Sequence, residues 1–470
     1  MQHDNAKQQD VIFPCQATPE DPAAARLLGI YPQRQDGVFL QRVKVPGGRL
    51  STAQCRALAE LARRFSPGYP LHMTTRQDVE IHGLRKEDLP AVQAGLHEVG
   101  LTSVGACGDT LRNITVCPGE GLCSGVTEIS PLAEEIGRRL EALPFIRSLP
   151  RKFKISLSGC PKSCAKPWIN DVGFYADGEG RFRAVVAGSL GARPGTGLLL
   201  EPSFNPTEAL ALTLAAVKLF NEEGDRQNRT RARLRHVRER LGDEVFRGRL
   251  LNLYRSELED TALPRLSCRR VESHFRMQFN VPLPLGDIEP ADLSALADGL
   301  ESAGGLVRIG FEHNLLIWGD RPVELSTALH DAAGGPRIAA CPGVTWCSRG
   351  IADTRAAAAA LRAALPRGDA LTICLSGCPN NCAQSAVADI GLIGRQRTVG
   401  EVKVDCFRLL AGGGKGQGPA LGRELHAAIP AAQLPEAVAA LVSEYAAVAA
   451  SGVSFERFAA GLHSAGSVSG

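Results

Sequence analysis

Hydrophobic and polar positions alternate along several short stretches of the chain and recur at helical spacing along others. Residues 37–46 alternate apolar and polar side chains and predict a strand, and residues 78–82 predict a second one. Residues 50–65 and 86–99 have the apolar spacing of helices, and Ser51 is suited to cap the first of them. This part of the chain therefore predicts the order strand, helix, strand, helix.

The same order of elements recurs further along the chain. The second series comprises strands at 274–281 and 315–318 and helices at 290–303 and 322–333. We therefore interpret the chain as an internal duplication, with repeats at about 37–200 and 274–415. Alternation of single strands and helices favours α+β domains with antiparallel or mixed sheets.

The segment 205–267 lies between the repeats and contains a helical stretch rich in alanine and leucine. It also carries a run of arginines at 229–240, which in isolation is compatible with RNA binding. Leu234 and Val237 interrupt that run at helical spacing, so we interpret it as a solvated helix face.

Composition narrows the class of protein. With 53 Lys+Arg against 50 Asp+Glu the net charge is +3, and no accompanying basic stripe predicts a nucleic-acid partner. The beginning of the chain lacks the pattern of a signal peptide, and the alanine-rich candidate helices 353–365 and 437–450 are shorter than a membrane span. We therefore expect a cytoplasmic protein without a membrane partner, in which clustered cysteines favour metal binding over disulfides.

Eight of the fourteen cysteines form two copies of one pattern, C-x5-C followed by C-x3-C. The first copy is Cys117, Cys123, Cys160 and Cys164, and the second is Cys341, Cys347, Cys378 and Cys382. Four thiolates that arrive as two local pairs can enclose a cubane iron–sulfur cluster. A tetrahedral zinc site is the alternative, but the C-x5-C spacing is wider than that of usual zinc pairs.

The repeats differ in their cations. Alignment of the two places four first-repeat cations opposite residues without positive charge: Arg76 opposite Glu312, Arg112 opposite Pro336, Lys152 opposite Ala370 and Lys154 opposite Thr372. Lys152 and Lys154 share one face of a strand-like segment, where they repel each other unless an anion lies between them. Each alone is typical of an ordinary surface cation, but the asymmetry favours an anion-binding cage.

The sequence resembles the sirohaem-dependent sulfite and nitrite reductase family, from about Arg34 to the C-terminal helix. The resemblance lies in the two cysteine sets and in residues 74–82, 108–113, 149–154 and 409–414. It implies a ferredoxin-like parachute domain made from both repeats, plus two reductase domains of the sirohaem/[4Fe-4S] type. The implied segments are 1–108 and 268–336 for the two ferredoxin-like halves, and 109–267 and 337–470 for the reductase domains.

The family resemblance also implies cofactors and their ligands. A [4Fe-4S] cluster would be held by Cys341, Cys347, Cys378 and Cys382, with Cys382 also the axial ligand of the sirohaem iron. The four cations Arg76, Arg112, Lys152 and Lys154 match the family's substrate-binding residues. The first set, Cys117, Cys123, Cys160 and Cys164, either binds a second [4Fe-4S] cluster or persists from the duplication with partial function.

The implied reaction is the six-electron reduction of sulfite to sulfide or of nitrite to ammonia. Sulfite is the preferred substrate, because nitrite reductases of the plant type tend to carry asparagine at the position of Lys154. The glycine-rich segment 412–418 lacks the ending of a phosphate loop, and no nucleotide motif is visible, so electrons should come from ferredoxin or a flavoprotein. The alternatives are a precorrin-3B synthase-like monooxygenase and an iron–sulfur electron-transfer protein without a substrate.

Overall fold

The computed structural model describes residues 21–368, 371–414 and 420–462. The residues 1–20, Ala370 and 415–418, on which some predictions fall, lie outside the described residues. The first part of the chain contains α1 (Pro22–Leu27), β1 (Ile30–Pro32), β2 (Phe39–Val43), β3 (Arg49–Leu50), α2 (Thr52–Phe65), β4 (Leu71–Met73), β5 (Val79–Leu84) and α3 (Leu89–Glu98).

The start of α2 follows the prediction from the sequence. The Ser51 hydroxyl accepts a hydrogen bond from the Gln54 N–H at 3.1 Å, and the Gln54 side chain accepts one from the Ser51 N–H. This reciprocal capping box satisfies two backbone donors that the first turn of a helix leaves without partners.

The next part of the chain forms a mixed sheet and its covering helices. Its elements are β6 (Thr115–Val116), α4 (Ser130–Glu141), β7 (Ile155–Ser158), β8 (Val172–Ala176), β9 (Phe182–Val186), β10 (Leu198–Phe204), α5 (Pro206–Glu223), α6 (Leu234–Leu241) and α7 (Asp243–Leu258). Only the second part of the arginine run at 229–240 is therefore helical.

The second ferredoxin-like series follows. It contains β11 (Arg276–Pro282), β12 (Asp287–Ile288), α8 (Pro290–Ala303), β13 (Leu306–Ile309), β14 (Asn314–Gly319) and α9 (Thr327–Ala333). The bounds of α8 match the prediction of 290–303, but the prediction of a helix from 322 is wrong at its start. Ser326 is extended and caps α9 by accepting from the Leu329 N–H, so the helix begins one residue later.

The last part of the chain forms the second mixed sheet. Its elements are β15 (Arg337–Ala340), α10 (Gly343–Trp346), α11 (Thr354–Ala364), β16 (Thr372–Ser376), β17 (Ile390–Val399), β18 (Val402–Ala411), β19 (Arg423–Pro430), α12 (Leu434–Ala449) and α13 (Phe455–Gly461). Among the described helices, none combines the length and apolar character needed to cross a membrane.

The two ferredoxin-like series exchange a short strand. In one sheet the order is β1-β2-β5-β4-β12, and Ile288 of β12 pairs antiparallel with Leu71 of β4. In the other the order is β11-β14-β13-β3, and Leu50 of β3 pairs with Val307 of β13. Each half therefore completes the sheet of the other, and buried side chains from both halves form one hydrophobic core.

The two mixed sheets have the same topology. In the first, β6, β7 and β8 are parallel and β9 and β10 add antiparallel strands. In the second, β15, β16 and β17 are parallel, and β18 and β19 follow antiparallel. This agreement supports the duplicated α+β architecture, while the domain boundaries drawn from the sequence stay a prediction.

Gln77 joins three parts of the chain at one buried point. Its amide nitrogen lies 2.9 Å from the carbonyl oxygens of both Val116 and Ile309 and 3.3 Å from that of Gly47. Its amide oxygen accepts a hydrogen bond from the Val116 N–H at 2.9 Å. One side chain thus bonds the backbone of both ferredoxin-like halves and the first cysteine segment, beside the strand exchange.

We expect the Gln77→Leu variant to lose about 3 kcal/mol of unfolding free energy, because it leaves several buried backbone groups without partners at about 1–3 kcal/mol each. Urea titration followed by far-UV circular dichroism measures the loss. The exposed Gln433 provides the matched control, and Gln433→Leu should change stability by less than about 0.5 kcal/mol. Equal stability of the two variants would contradict a joining role for Gln77.

Candidate functional site

A pocket at the junction of the repeats brings together residues that the sequence singled out separately. Arg76, Lys154 and Asn170 of the first repeat line it together with Cys382 and Gln384 of the second. Arg112 and Lys152 do not line the pocket, but both interact electrostatically with Lys154. The structure therefore places the last cysteine of the second set beside cations of the first repeat.

The turn between β4 and β5 carries Arg76 to this pocket. The Thr74 hydroxyl accepts from the N–H groups of Arg76 and Asp78 at 3.2 and 3.0 Å, which closes the turn. The Thr75 hydroxyl donates to the Cys382 carbonyl at 2.9 Å, and the Gln384 amide donates to the Thr75 carbonyl at 3.1 Å. Arg76 and Cys382 are thus held together through direct bonds between their two loops.

The Arg76 guanidinium is fixed within the pocket wall. It donates to the Asn170 side-chain oxygen at 3.0 Å and to the Ile155 carbonyl at 3.1 Å. Its buried Nε has no hydrogen-bond partner among the described residues. Burial, reinforced by Arg112 and Arg233, lowers the pKa of Arg76 to about 9 against the opposing effect of Asp78 and Asp171. The site therefore favours an additional negative charge.

The two lysines add to this excess of positive charge. Burial, with Arg233 and Arg112 nearby, lowers the pKa of Lys152 to about 7. Burial also lowers the pKa of Lys154 well below its ordinary value, with Arg76 and Lys152 contributing. Each would be stabilised as an ammonium by an anion, because an uncompensated charge is costly away from water.

Arg112 is buried, and its hydrogen-bond partners among the described residues are backbone oxygens. It donates to the Ala106 carbonyl at 3.0 Å and twice to the Gly108 carbonyl, at 2.8 and 3.2 Å. These neutral acceptors fix the guanidinium beside the pocket without neutralising its charge. Arg112 thus contributes positive potential to the site through its position.

The sequence interpretation missed Arg233. Its guanidinium forms a buried ion pair with Asp171, with bonds of 2.6 and 3.2 Å to the two carboxylate oxygens. The same Asp171 carboxylate accepts the backbone N–H of Lys154 at 2.8 Å. Arg233 therefore positions the lysine segment and adds a fifth cation to the site.

The arginine run at 229–240 is consequently not a solvated helix face, and that interpretation is wrong for its central residues. Arg235 is buried as well and donates to the Ser189 hydroxyl at 3.0 Å and to the Arg193 carbonyl at 2.6 Å. The sequence holds no signal that separates these buried arginines from solvated ones, although both repeats carry an aspartate at the matching positions 171 and 389. Asp389 likewise accepts the backbone N–H of Thr372, at 2.8 Å.

The second cysteine set has the chemistry expected of cluster ligands. Electrostatic interactions connect all four thiols, Cys341, Cys347, Cys378 and Cys382. Backbone N–H groups point at the sulfurs, and the Gly377 N–H lies 3.1 Å from the Cys341 sulfur. Such N–H groups stabilise thiolates, so this donor set fits an iron–sulfur cluster. The adjoining cations fit the carboxylates of a sirohaem.

The first cysteine set forms a cluster of its own in the other half of the molecule. The sulfurs of Cys117 and Cys164 lie 3.1 Å apart, and Cys123 and Cys160 interact electrostatically with Cys117.

The glycine-rich segment after β18 approaches the second cysteine loop, since the Gly413 N–H bonds the Ala388 carbonyl at 3.0 Å.

A duplicated α+β chain that presents a set of thiols to a cationic pocket defines a metal-cluster oxidoreductase acting on an anion. Comparison with protein families identifies the class more narrowly. The nitrite and sulphite reductase 4Fe-4S domain matches residues 107–257 and 336–463, and the nitrite/sulfite reductase ferredoxin-like half domain matches residues 31–99. The chain belongs to the sirohaem-dependent nitrite and sulfite reductase family, whose [4Fe-4S] cluster and sirohaem it binds.

Individual relatives agree with this assignment. The chain is 30% identical to an assimilatory ferredoxin-dependent nitrite reductase of Haloferax mediterranei, over 92% of this chain and 83% of the relative. It is 29% identical to sulfite reductase [ferredoxin] 1 of Mycolicibacterium paratuberculosis, over 85% and 81%. The structure of Mycobacterium tuberculosis NirA matches with a TM-score of 0.78 and 25% identity, over 94% of this chain and 90% of that one.

The Arg233→Met variant should lose about 3–5 kcal/mol of unfolding free energy, because it leaves the Asp171 carboxylate buried without its partner. Urea titration measures this loss. Arg240 of the same run pairs with Glu223 at the surface, and Arg240→Met should cost less than about 1 kcal/mol. Similar costs for the two variants would show that the buried pair does not organise the site.

Proposed function

We propose that the protein catalyses the six-electron reduction of sulfite to sulfide. The proposal rests on the first-repeat cations that lie near Cys382. These cations outnumber the acidic residues that pair with them. Sulfite carries up to two negative charges and nitrite one, so the presence of a lysine at position 154 favours sulfite.

We propose that the second repeat holds the cofactors and that the first repeat binds the substrate. Cys341, Cys347, Cys378 and Cys382 would hold the cluster, and Cys382 would also bind the sirohaem iron. When bound, these cofactors supply single electrons and an iron that binds the central atom of the substrate.

Cationic side chains of the first repeat would bind the oxyanion. Arg76 and Lys154 line the pocket and would hold the substrate oxygens, while Lys152 and Arg112 extend the positive potential. Asn170 and Gly108 already fix the guanidinium groups of Arg76 and Arg112, and Asp171 fixes the backbone of Lys154. These cations would stabilise negative charge that develops on an oxygen as it leaves as water. Preorganised donors act without the cost of reorienting solvent during the reaction.

Nitrite reduction to ammonia is the second candidate. It is favoured by the 30% identity to a relative named as a ferredoxin-dependent nitrite reductase. The electron donor that we propose is a ferredoxin, because relatives of both substrate classes carry that donor in their names. The precorrin-3B synthase-like and substrate-free alternatives are not favoured by relatives named for nitrite and sulfite reduction.

The double variant Lys152→Ala/Lys154→Ala should lose sulfite turnover by at least about 100-fold, as expected when fixed donors to an oxyanion are removed. Turnover is measured with reduced methyl viologen as donor, beside the absorption spectrum and iron content. Lys403 is exposed on β18, and Lys403→Ala should retain turnover. Retained turnover in the double variant would exclude the proposed anion site.

The single variant Lys154→Asn should raise the ratio of nitrite to sulfite turnover by about 10-fold, because loss of one cation disfavours the more highly charged anion. Steady-state rates with both substrates at matched concentrations give this ratio, and Lys403→Asn is the control. An unchanged ratio would assign substrate choice to other residues and remove the main support for sulfite.

A further inference from the structure

We propose that the first cysteine set, Cys117, Cys123, Cys160 and Cys164, binds a second [4Fe-4S] cluster that relays single electrons to the pocket. The relay role rests on the proposed reductase function, whereas binding of the cluster does not. The nitrite and sulphite reductase 4Fe-4S domain matches the segments of both cysteine sets and does not distinguish their roles.

The backbone around the first set is arranged for thiolates. The N–H groups of Gly119 and Gly159 bond the Cys117 sulfur, and those of Lys162 and Ser163 bond the Cys160 sulfur. A Cβ atom at Gly119 would lie 2.7 Å from the Cys123 sulfur, so only glycine fits there. Tight turns with N–H groups aimed at sulfur relieve the negative charge of bound thiolates.

The scaffold of the first set reproduces that of the second, bond by bond. The Cys117 N–H bonds the Leu157 carbonyl at 2.9 Å, and the Cys341 N–H bonds the Leu375 carbonyl at 3.0 Å. Within each C-x3-C turn a serine hydroxyl of the preceding strand accepts the N–H that follows the last cysteine. The pairs are Ala165 to Ser158 at 3.0 Å and Ala383 to Ser376 at 3.1 Å.

The two C-x3-C turns also share an unusual backbone conformation. Ser163 and Asn381 occupy the same position in their turns, with φ of +50° and +58°. Lys166 and Gln384 occupy the next matching position, with φ of +53° and +63°. Left-handed conformations are unfavourable for residues with side chains, so two of them at matching positions indicate that both turns are held to one geometry.

The donor set suits a cubane cluster better than a single zinc ion, because the C-x5-C spacing of Cys117 and Cys123 is wider than that of usual zinc pairs. In a cubane each thiolate binds a separate iron at its own corner, so binding of the cluster would separate the Cys117 and Cys164 sulfurs, which lie 3.1 Å apart.

The first cysteine set has no cation of the second repeat at the position that matches Arg76. Glu312 occupies the position that matches Arg76, and it forms an ion pair with Arg337. The Glu312–Arg337 ion pair carries no net charge and supplies no cation for the carboxylates of a tetrapyrrole, so the proposed second cluster stands without a sirohaem. Because no substrate would bind beside it, this second cluster would serve in electron transfer.

A direct contact connects the two cysteine loops. The Lys166 ammonium donates to the Gln384 side-chain oxygen at 2.6 Å, and both residues line the pocket. Each lies two positions after the last cysteine of its set, Cys164 or Cys382. A short bonded path therefore leads from one set to the other.

The surface position of the first set suits electron input. Cys123 and Cys160 are half-buried, and Lys162 beside them is exposed. A reduced one-electron donor such as a ferredoxin would lose one electron to this cluster, which then reduces the cluster of the second set. No bond forms or breaks in either transfer, and the oxidised donor departs.

The test is an analysis of anaerobically purified holoenzyme for non-haem iron and acid-labile sulfide, together with electron paramagnetic resonance of the reduced protein. We expect about eight of each per chain and signals from two clusters, falling to about four and one cluster in Cys123→Ser. Cys268→Ser is the matched control, since Cys268 is half-buried in a neighbouring segment but does not interact with the four thiols.

Rates with ferredoxin and with reduced methyl viologen test the relay. In Cys123→Ser the ferredoxin-supported rate should fall by at least about 10-fold relative to the viologen-supported rate, and an unchanged ratio would overturn the relay role. A wild-type content of about four irons and four sulfides, unchanged in Cys123→Ser, would overturn the second cluster itself. Sirohaem absorption and sulfite turnover that persist in that case would leave the proposed reductase function standing.

Discussion

An excess of buried positive charge is the constraint on which the site depends. Burial, with Arg112 and Arg233 nearby, lowers the pKa values of Arg76, Lys152 and Lys154, and Asp171 forms an ion pair with Arg233 alone of these five cations. Like charges brought out of water repel, so the lysines favour the neutral amine unless anions complete the arrangement. The carboxylates of a sirohaem and an oxyanion substrate have the charge that the site lacks.

That constraint accounts for the difference in charge between the two repeats. The first repeat carries cations in the segment around Lys154, and the matching segment of the second repeat carries Thr372 with a neutral hydroxyl. At the position of Arg76 the second repeat has Glu312, paired with Arg337. Both repeats retain the aspartate that accepts the N–H of this segment, because it fixes the backbone rather than the chemistry.

The sequence was sufficient for the elements with strong local signals. The helix at 290–303 has clear apolar spacing, and Ser51 provides a complete capping box. The strands β4 and β13 were missed because three or four residues show too little alternation to be recognised. Arg233 was missed for a different reason, since a buried arginine and a solvated one look alike until the fold places Asp171 beside one of them.

The exchange of β3 and β12 sets the order of events during synthesis. When the first half leaves the ribosome, the edge of β4 still awaits Asp287 and Ile288, and Cys382 has not yet been made. Domains ordinarily fold as they emerge, but here the first ferredoxin-like sheet waits for a strand encoded about two hundred residues later. Assembly of the pocket is therefore a late step, because a truncated chain that ends before Cys382 has only the first-repeat side of it, although the first cysteine set is already complete.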